Sequence, residues 1–372
     1  MSSLSLKLST RGTFLDAATN RLHALWGALY RKPCPADVLS LLSAMFSPWG
    51  SSPIPREPSW PSDIGNDHSP FEFSVALTPI SPEIRLVVEA QGVSPGFTAT
   101  REACLRLNKL LEERGADLRR FEQVRDLFVP EKTHARFALW HAVALTPGPL
   151  RAKAYLNPQI HGVNMTCHVV RSAFERLGLA RAWPTLASAR SNGPLRDEDI
   201  RYFALDLERS RNARVKVYLY LPDATADDLE RLAGFRPGYV AGEVSEFCRE
   251  LTGSTGPYAF RPPCVYLAFT ENNPTPSDVT VQIPIAYHAP DDRIARNRVL
   301  AYLRMRGLDT TTYERALAAA AQRPFHTGSG LHTYVSLRTG MSPPRVTTYF
   351  GAELYGVQPP LARSSRTIRR AR

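Results

Sequence analysis

Apolar and polar residues alternate with a period of two, the mark of a strand with one buried face, in paired runs along this chain. Five pairs stand out: 71–77 with 84–91, 136–145 with 151–156, 202–207 with 214–221, 265–270 with 279–287, and 332–337 with 345–355. Their starts at 71, 136, 202, 265 and 332 are spaced by 65, 66, 63 and 67 residues, a regularity that argues for one supersecondary unit used five times. Between the pairs, 101–114, 118–127, 169–177, 226–233, 294–306 and 313–321 show helical periodicity, and 14–46 holds two more helices. Thr100 reads as a helix cap, and Gly115, Gly178 and Gly307 fall where helices end. The segment 48–70, with six prolines, reads as a long loop able to lie over a neighbouring element.

The second strand of each hairpin shows which face is which. Arg214, Lys216, Tyr218 and Tyr220 alternate with Val215, Val217, Leu219 and Leu221; Lys153 and Tyr155 alternate with Ala152, Ala154 and Leu156. Thr280 and Gln282, then Arg345, Thr347 and Tyr349, repeat the pattern. Amphipathic helices must cover the apolar face, which leaves the basic, tyrosine-rich face looking elsewhere. That face is either wet, on an open sheet, or turned into a lumen. Closure is favoured because ten strands rarely stay open without curling, and a barrel has no free edges. The expected fold is α/β in the α+β sense: five αββα repeats, with ten antiparallel strands around a lumen and helices outside.

Composition adds bounds. With 372 residues, 43% hydrophobic and 22% charged, the chain is globular, and nothing outside the repeat suggests a second domain. We expect one domain over 1–358 and a disordered basic tail over 359–372. The formal charge is +11, but 361–372 carries five arginines and no acid, leaving about +6 for the body. A non-catalytic basic binding protein is the competing class. The basic residues alternate with apolar ones on internal strands, however, whereas nucleic-acid binders expose clustered cations, so no specific nucleic-acid partner is expected. Five scattered cysteines give neither a disulfide framework nor a zinc cluster. No apolar run approaches membrane-spanning length, so a cytoplasmic protein with no membrane partner is expected, as monomer or homodimer. Asp227-Asp228 and Asp291-Asp292 are isolated pairs, so no magnesium-bridging acidic motif is present in the sequence.

Inward-facing Arg85, Lys153, Arg214, Lys216 and Arg345 would be costly without an anion, and an organic diphosphate meets that demand. Tyr155, Tyr218, Tyr334 and Tyr349 beside it offer π faces to a cation. Together they suit the ionisation of an allylic diphosphate and protection of the resulting carbocation. Glu72, between Phe71 and Phe73, is placed either to accept a hydrogen bond from an aromatic N–H or O–H or to pair with a neighbouring Arg.

The segment Asp63 to Ser74 with its Glu72, the pairs Lys153-x-Tyr155 and Arg214-x-Lys216-x-Tyr218, and Tyr334 with Arg345 and Tyr349 resemble the dimethylallyl tryptophan synthase-type aromatic prenyltransferases of the ABBA fold, in their bacterial form. The resemblance implies that Glu72 holds the indole N–H, that Arg85, Lys153, Arg214, Lys216, Gln282 and Arg345 bind the diphosphate, and that Tyr155, Tyr218, Tyr334 and Tyr349 shield the allyl cation. It also places Trp140 and Arg201 on the acceptor. The implied reaction is transfer of a dimethylallyl group from dimethylallyl diphosphate to tryptophan or a related indole, with no cofactor and no Mg2+ requirement. The alternatives are another aromatic acceptor or a geranyl or farnesyl donor. Three departures from the family pattern are expected to matter, one being Arg345 where a Tyr is common, which adds charge. Trp140 replaces a proton-accepting Lys, with His141 facing away, and Thr280 with Gln282 removes an aromatic shield from the fourth hairpin.

Overall fold

The computed structural model describes residues 12–361 apart from Pro79, Val93, Pro95, Lys132, His134, Ala259, Phe260 and Ser342. Residues 362–372, where most of the expected basic tail falls, lie outside the described residues. Ten strands form a closed antiparallel barrel. They are β1 (Phe71–Leu77), β2 (Glu83–Val88), β3 (Leu139–Leu145), β4 (Ala152–Leu156), β5 (Ile200–Asp206), β6 (Val215–Tyr220), β7 (Cys264–Phe269), β8 (Asp278–Ile283), β9 (His332–Arg338) and β10 (Arg345–Gly351). Neighbours in sequence are neighbours in the sheet, and β1 closes onto β10 from Glu72 opposite Gly351 to Leu77 opposite Val346. All five expected hairpins form, with ends displaced by a few residues.

Helices α1 (Phe14–Tyr30), α2 (Ala36–Met45), α3 (Phe97–Glu112), α4 (Arg119–Phe128), α5 (Thr166–Arg176), α6 (Trp183–Ala187), α7 (Ala226–Ala233), α8 (Glu243–Thr252), α9 (Asp292–Met305) and α10 (Thr310–Ala320) surround the barrel. The short α6 and α8 were not expected. Thr100 is not a cap: α3 begins at Phe97 behind Gly96, whose φ of 152° only glycine adopts freely. Gly115, Gly178 and Gly307 do take positive φ just beyond helix ends.

The main core fills the space between barrel and helices, where outward residues such as Val75, Leu86, Val143, Phe203, Val217 and Leu267 are fully buried. Each large side chain removed from water there contributes roughly 1.5–3 kcal/mol. His141 faces outward as expected, hydrogen-bonded at 2.7 Å to Asn108 of α3, and burial pushes its imidazole down to about 3. It is a neutral core residue.

Two irregularities interrupt the alternation. In β9, Val335 pairs with Thr348 and His332 with Phe350, so Thr333 and Tyr334 together oppose Tyr349. In β5, Phe203 pairs with Val217 and Ile200 with Leu219, so Arg201 and Tyr202 together oppose Tyr218. Each is a β-bulge that turns two consecutive side chains toward the lumen at the same end of the barrel.

Candidate active site

Even-numbered strands run one way along the barrel and odd-numbered strands the other, so inward residues stack in layers. The charged layer lies at the end where β4 and β6 begin. Six cations occupy it: Arg85, Lys153, Lys216, Arg338 and Arg345, with Arg214 just ahead of β6. Five of them hold carboxylates. Arg85 and Arg345 reach Glu83 at 2.5 and 3.2 Å, Lys216 and Arg214 reach Asp206 at 2.5 and 2.7 Å, and Arg214 and Arg338 each lie 3.0 Å from Asp278. The expectation that these cations stand unpaired in the empty lumen is therefore corrected: Glu83, Asp206 and Asp278 offset much of their burial cost. Lys153 alone of the six carries no ion pair among the described residues. Burial, with Lys216, Arg85 and Arg214 nearby, lowers its pKa well below the usual lysine value.

Cations outnumber carboxylates around a small cavity of about 40 Å3, with Arg151 as a further partner of Glu83 at 2.6 Å. Its lining includes Arg85, Lys153, Arg214, Arg338, Arg345 and the Tyr266 and Tyr349 rings. Lys216 lies behind this lining, 1% exposed, with its ammonium on Asp206.

Above the charged layer is an aromatic collar. Tyr218 has its ring centroid 5.7 Å from Tyr155, 4.9 Å from Tyr266 and 6.0 Å from Tyr202; Tyr334 and Tyr349 lie 6.3 Å apart. The Tyr220 and Tyr334 hydroxyls meet at 3.0 Å, and Gln282 donates to the Tyr349 hydroxyl at 3.3 Å. Burial raises the pKa of every one of these tyrosines, that of Tyr155 to about 12. At neutral pH the collar presents neutral phenols. Their π faces stabilise a cation, and no phenolate is on hand to capture it.

Glu72 stands at the far end, four residues along β1 from Ala76, which pairs with Glu83 and Thr347 beside the cations. At strand rise this is about 13 Å. The Glu72 carboxylate accepts a 2.6 Å hydrogen bond from Thr333. Burial pushes its pKa up to about 8, against the lowering effect of that bond. Beyond Glu72 the barrel opens into a cavity of about 1120 Å3 bordered by Tyr202, Tyr220, Tyr334, Arg201 and residues 62–66. Trp140 faces inward, stacked on Phe137 at 4.2 Å and 5.2 Å from Tyr202. Beside it the buried Glu89 carboxyl lies near Ser62, Trp60 and Trp140, its pKa raised to about 7 by burial. Arg201 lies at the rim, its guanidinium 5.9 Å from the Tyr220 ring centroid.

Residues 37–316 match the family described as tryptophan dimethylallyltransferase. The chain belongs to this family. Among solved structures, 6-dimethylallyltryptophan synthase from Micromonospora olivasterospora in complex with DMASPP and Trp is 34% identical, with a TM-score of 0.87 over 94% of this chain and 99% of that one. The prenyltransferase PriB, in ternary complex with L-tryptophan and dimethylallyl thiolodiphosphate, is 30% identical with a TM-score of 0.84, over 94% and 99% of the two chains. The 5-dimethylallyltryptophan synthase from Streptomyces coelicolor, in complex with DMASPP and Trp, is 28% identical with a TM-score of 0.84, over 96% and 99%. The closed ten-strand barrel ringed by helices is the ABBA fold of these tryptophan dimethylallyltransferases.

Within this member of the family, the structure brings Arg85, Lys153, Arg214 and Arg345 to one cavity with Tyr349. Tyr155 and Tyr218 form the collar, and Glu72, Trp140, Tyr334 and Arg201 lie toward the mouth. On the fourth hairpin β8 presents Thr280 and Gln282 and no aromatic ring, as read from the sequence. A ring the sequence reading missed, Tyr266 of β7, pairs with Thr280 and packs on Tyr218 from the neighbouring strand. The sequence reading also missed Arg338, one residue past the expected end of β9, although Tyr334, Ser336 and Arg338 continue the inward alternation. Arg338→Gln should raise the KM for the diphosphate substrate about tenfold with little change in kcat, read by steady-state kinetics; an unchanged KM would remove Arg338 from the site.

Proposed function

We propose that this tryptophan dimethylallyltransferase family member moves a dimethylallyl group from dimethylallyl diphosphate to the indole ring of tryptophan or a derivative. The observation that carries the reading is the axial order of the lumen: an excess of positive charge, a collar of neutral tyrosines, then a buried carboxylate. The diphosphate of the donor occupies the charged cavity, where Arg85, Lys153, Arg214, Arg338 and Arg345 stabilise the charge that develops on the leaving oxygen. Lys216 holds Asp206, and Gln282 holds the Tyr349 ring beside the diphosphate. Tyr155, Tyr218, Tyr266, Tyr334 and Tyr349 surround the allyl group as its carbon–oxygen bond breaks, and they exclude water from the cation.

Glu72 accepts the indole N–H, which draws electron density into the ring and fixes its attacking carbon over the cation. Trp140 packs against the ring, and Arg201 meets the carboxylate of the amino acid at the rim. Carbon–carbon bond formation and loss of the ring proton complete a Friedel-Crafts alkylation. The cations of the charged layer do the work that a bridging metal does elsewhere, so no Mg2+ is required. No group of metal-ligating side chains is found among the described residues. The enzyme acts in the cytoplasm as a single domain over 1–358, on small-molecule substrates rather than nucleic acid, as monomer or homodimer. No helix among the described residues is long and apolar enough to cross a membrane.

The test is mass spectrometry of purified protein with dimethylallyl diphosphate and L-tryptophan, tyrosine or simple indoles, with and without EDTA. The expected result is an indole product heavier by one dimethylallyl unit, formed equally in EDTA. Product only from tyrosine, or only with geranyl or farnesyl diphosphate, would overturn the acceptor or donor assignment; abolition by EDTA with recovery on Mg2+ would overturn metal independence.

A further inference from the structure

Thr333 reaches Glu72 only because β9 is irregular. Strict alternation from inward Tyr334 would turn Thr333 outward into the helix layer. The bulge turns both inward, and Thr333 donates to Glu72 across β10 at 2.6 Å. Gly351, opposite Glu72 on β10, leaves the gap they share; a Cβ there would stand 3.3 Å from the Thr333 methyl carbon and 2.6 Å from the Gly330 carbonyl oxygen. One Glu72 oxygen is thereby engaged, leaving the other for a substrate N–H.

The bulge is gripped from outside the barrel. Asp292, the first residue of α9, accepts the His332 backbone N–H at 2.9 Å and the Leu331 N–H at 3.2 Å. His332 Nδ1 lies 3.0 Å from the same carboxylate, and its Nε2 lies 2.8 Å from the Tyr313 hydroxyl of α10. Arg323 joins Asp292 to Glu353, at 2.6 Å from each. Asp292 and His332 are 1% and 0% exposed and face away from the lumen, while Arg323 and Glu353 carry the network toward the surface.

We propose that Thr333 is a positioning residue for Glu72, and that Asp292 and His332, outside the barrel, set its place by holding the β9 bulge. The proposal rests on the reading of Glu72 as acceptor of the substrate N–H. An ionised Glu72 accepts that N–H better than a protonated one, so kcat/KM for the acceptor rises with pH along an acid limb. A donor bonded to the carboxylate favours its charged form, so Thr333 holds that limb at lower pH than burial alone would. The other titratable groups facing Glu72 are Asp67 of the 48–70 loop, Tyr334 of β9 and Tyr349 of β10.

The experiment is the pH profile of kcat/KM for L-tryptophan in Thr333→Val, Thr333→Ser, Asp292→Asn and the Thr333→Val, Asp292→Asn double variant, at saturating donor. Valine keeps the shape of threonine, so the fold should survive. The limb should move up by about one pH unit in Thr333→Val, a loss of about tenfold on the acid side that is recovered on the alkaline side, and the serine variant should return it. Asp292→Asn should shift the limb the same way and add nothing to Thr333→Val. A Thr333→Val profile unchanged, or scaled down equally at every pH, overturns the positioning role; additive shifts overturn the link to Asp292. If Glu72→Gln is fully active, the reading of Glu72 fails instead, whatever Thr333 does.

Discussion

Glu72→Gln should cost about a hundred- to a thousandfold in kcat while leaving the KM for the diphosphate within about twofold. The variant keeps a hydrogen-bond acceptor of the same shape and removes only the charge that strengthens as the ring becomes cationic. Its distance from the charged layer, about 13 Å along β1, explains why donor binding should survive. The same change should stabilise the protein. Glu72 has its pKa raised from 4.5 to about 8 in the fold, so between those values the folded chain retains a proton that the unfolded chain has released. Stability therefore falls as pH rises through that window, and Glu72→Gln should abolish the decline. Thermal unfolding at about pH 8 should give a Tm above that of the parent; steady-state kinetics supplies the other half. A fully active variant, or one less stable at that pH, would contradict this account of the carboxylate.

Lys153→Met should raise the KM for the diphosphate about a hundredfold. Arg85, Arg214, Arg338, Arg345 and Lys216 already hold carboxylates, whereas Lys153 lines the cavity without an ion pair among the described residues. Burial and neighbouring cations favour its neutral amine in the empty barrel, and an arriving diphosphate favours the ammonium. Donor binding at a pH above the depressed value should draw a proton from the buffer. Calorimetry in buffers of different ionisation enthalpy should report that uptake in the parent and none in the variant. The linkage to folding runs in a definite direction. Between the depressed value and 10.5 the unfolded chain holds the extra proton, so the empty parent gains stability as pH rises through that window, and Lys153→Met should not.

The barrel was legible because alternation on β4, β6, β8 and β10 is nearly unbroken and the repeat is even. The identity of the inward face followed from the same alternation. Glu83, Asp206 and Asp278 carry no sequence signal because they sit at hairpin ends, and only register reveals that Asp206 lies opposite Lys153 and two residues along β5 from Ala204, the partner of Lys216. Tyr266 was open to the same alternation argument, since Val265 and Leu267 flank it, but the shield was sought on the other strand of its hairpin. Thr333 had no such signal. A bulge inserts one residue into the period, so a period-two reading assigns that residue to the wrong face.

Midway along the lumen the two strands of each hairpin carry different classes of residue. The odd strands present Ser74, Ala142, Ala144, Ala204, Ala268 and Ser336, with Tyr266 and Arg338 as exceptions, while Arg85, Lys153, Tyr155, Lys216, Tyr218 and Tyr349 come from the even ones. Over that stretch, capacity and most of the ionising side chains are thus written on separate strands, while Glu72, Trp140 and Tyr334 act from odd strands nearer the mouth. An inherited change of Ala to Gly or Ser on an odd strand alters the room for prenyl chain or acceptor without disturbing the ionising residues. A lineage built on this barrel can therefore vary the shape of its lumen by small steps that spare most of the ionising side chains.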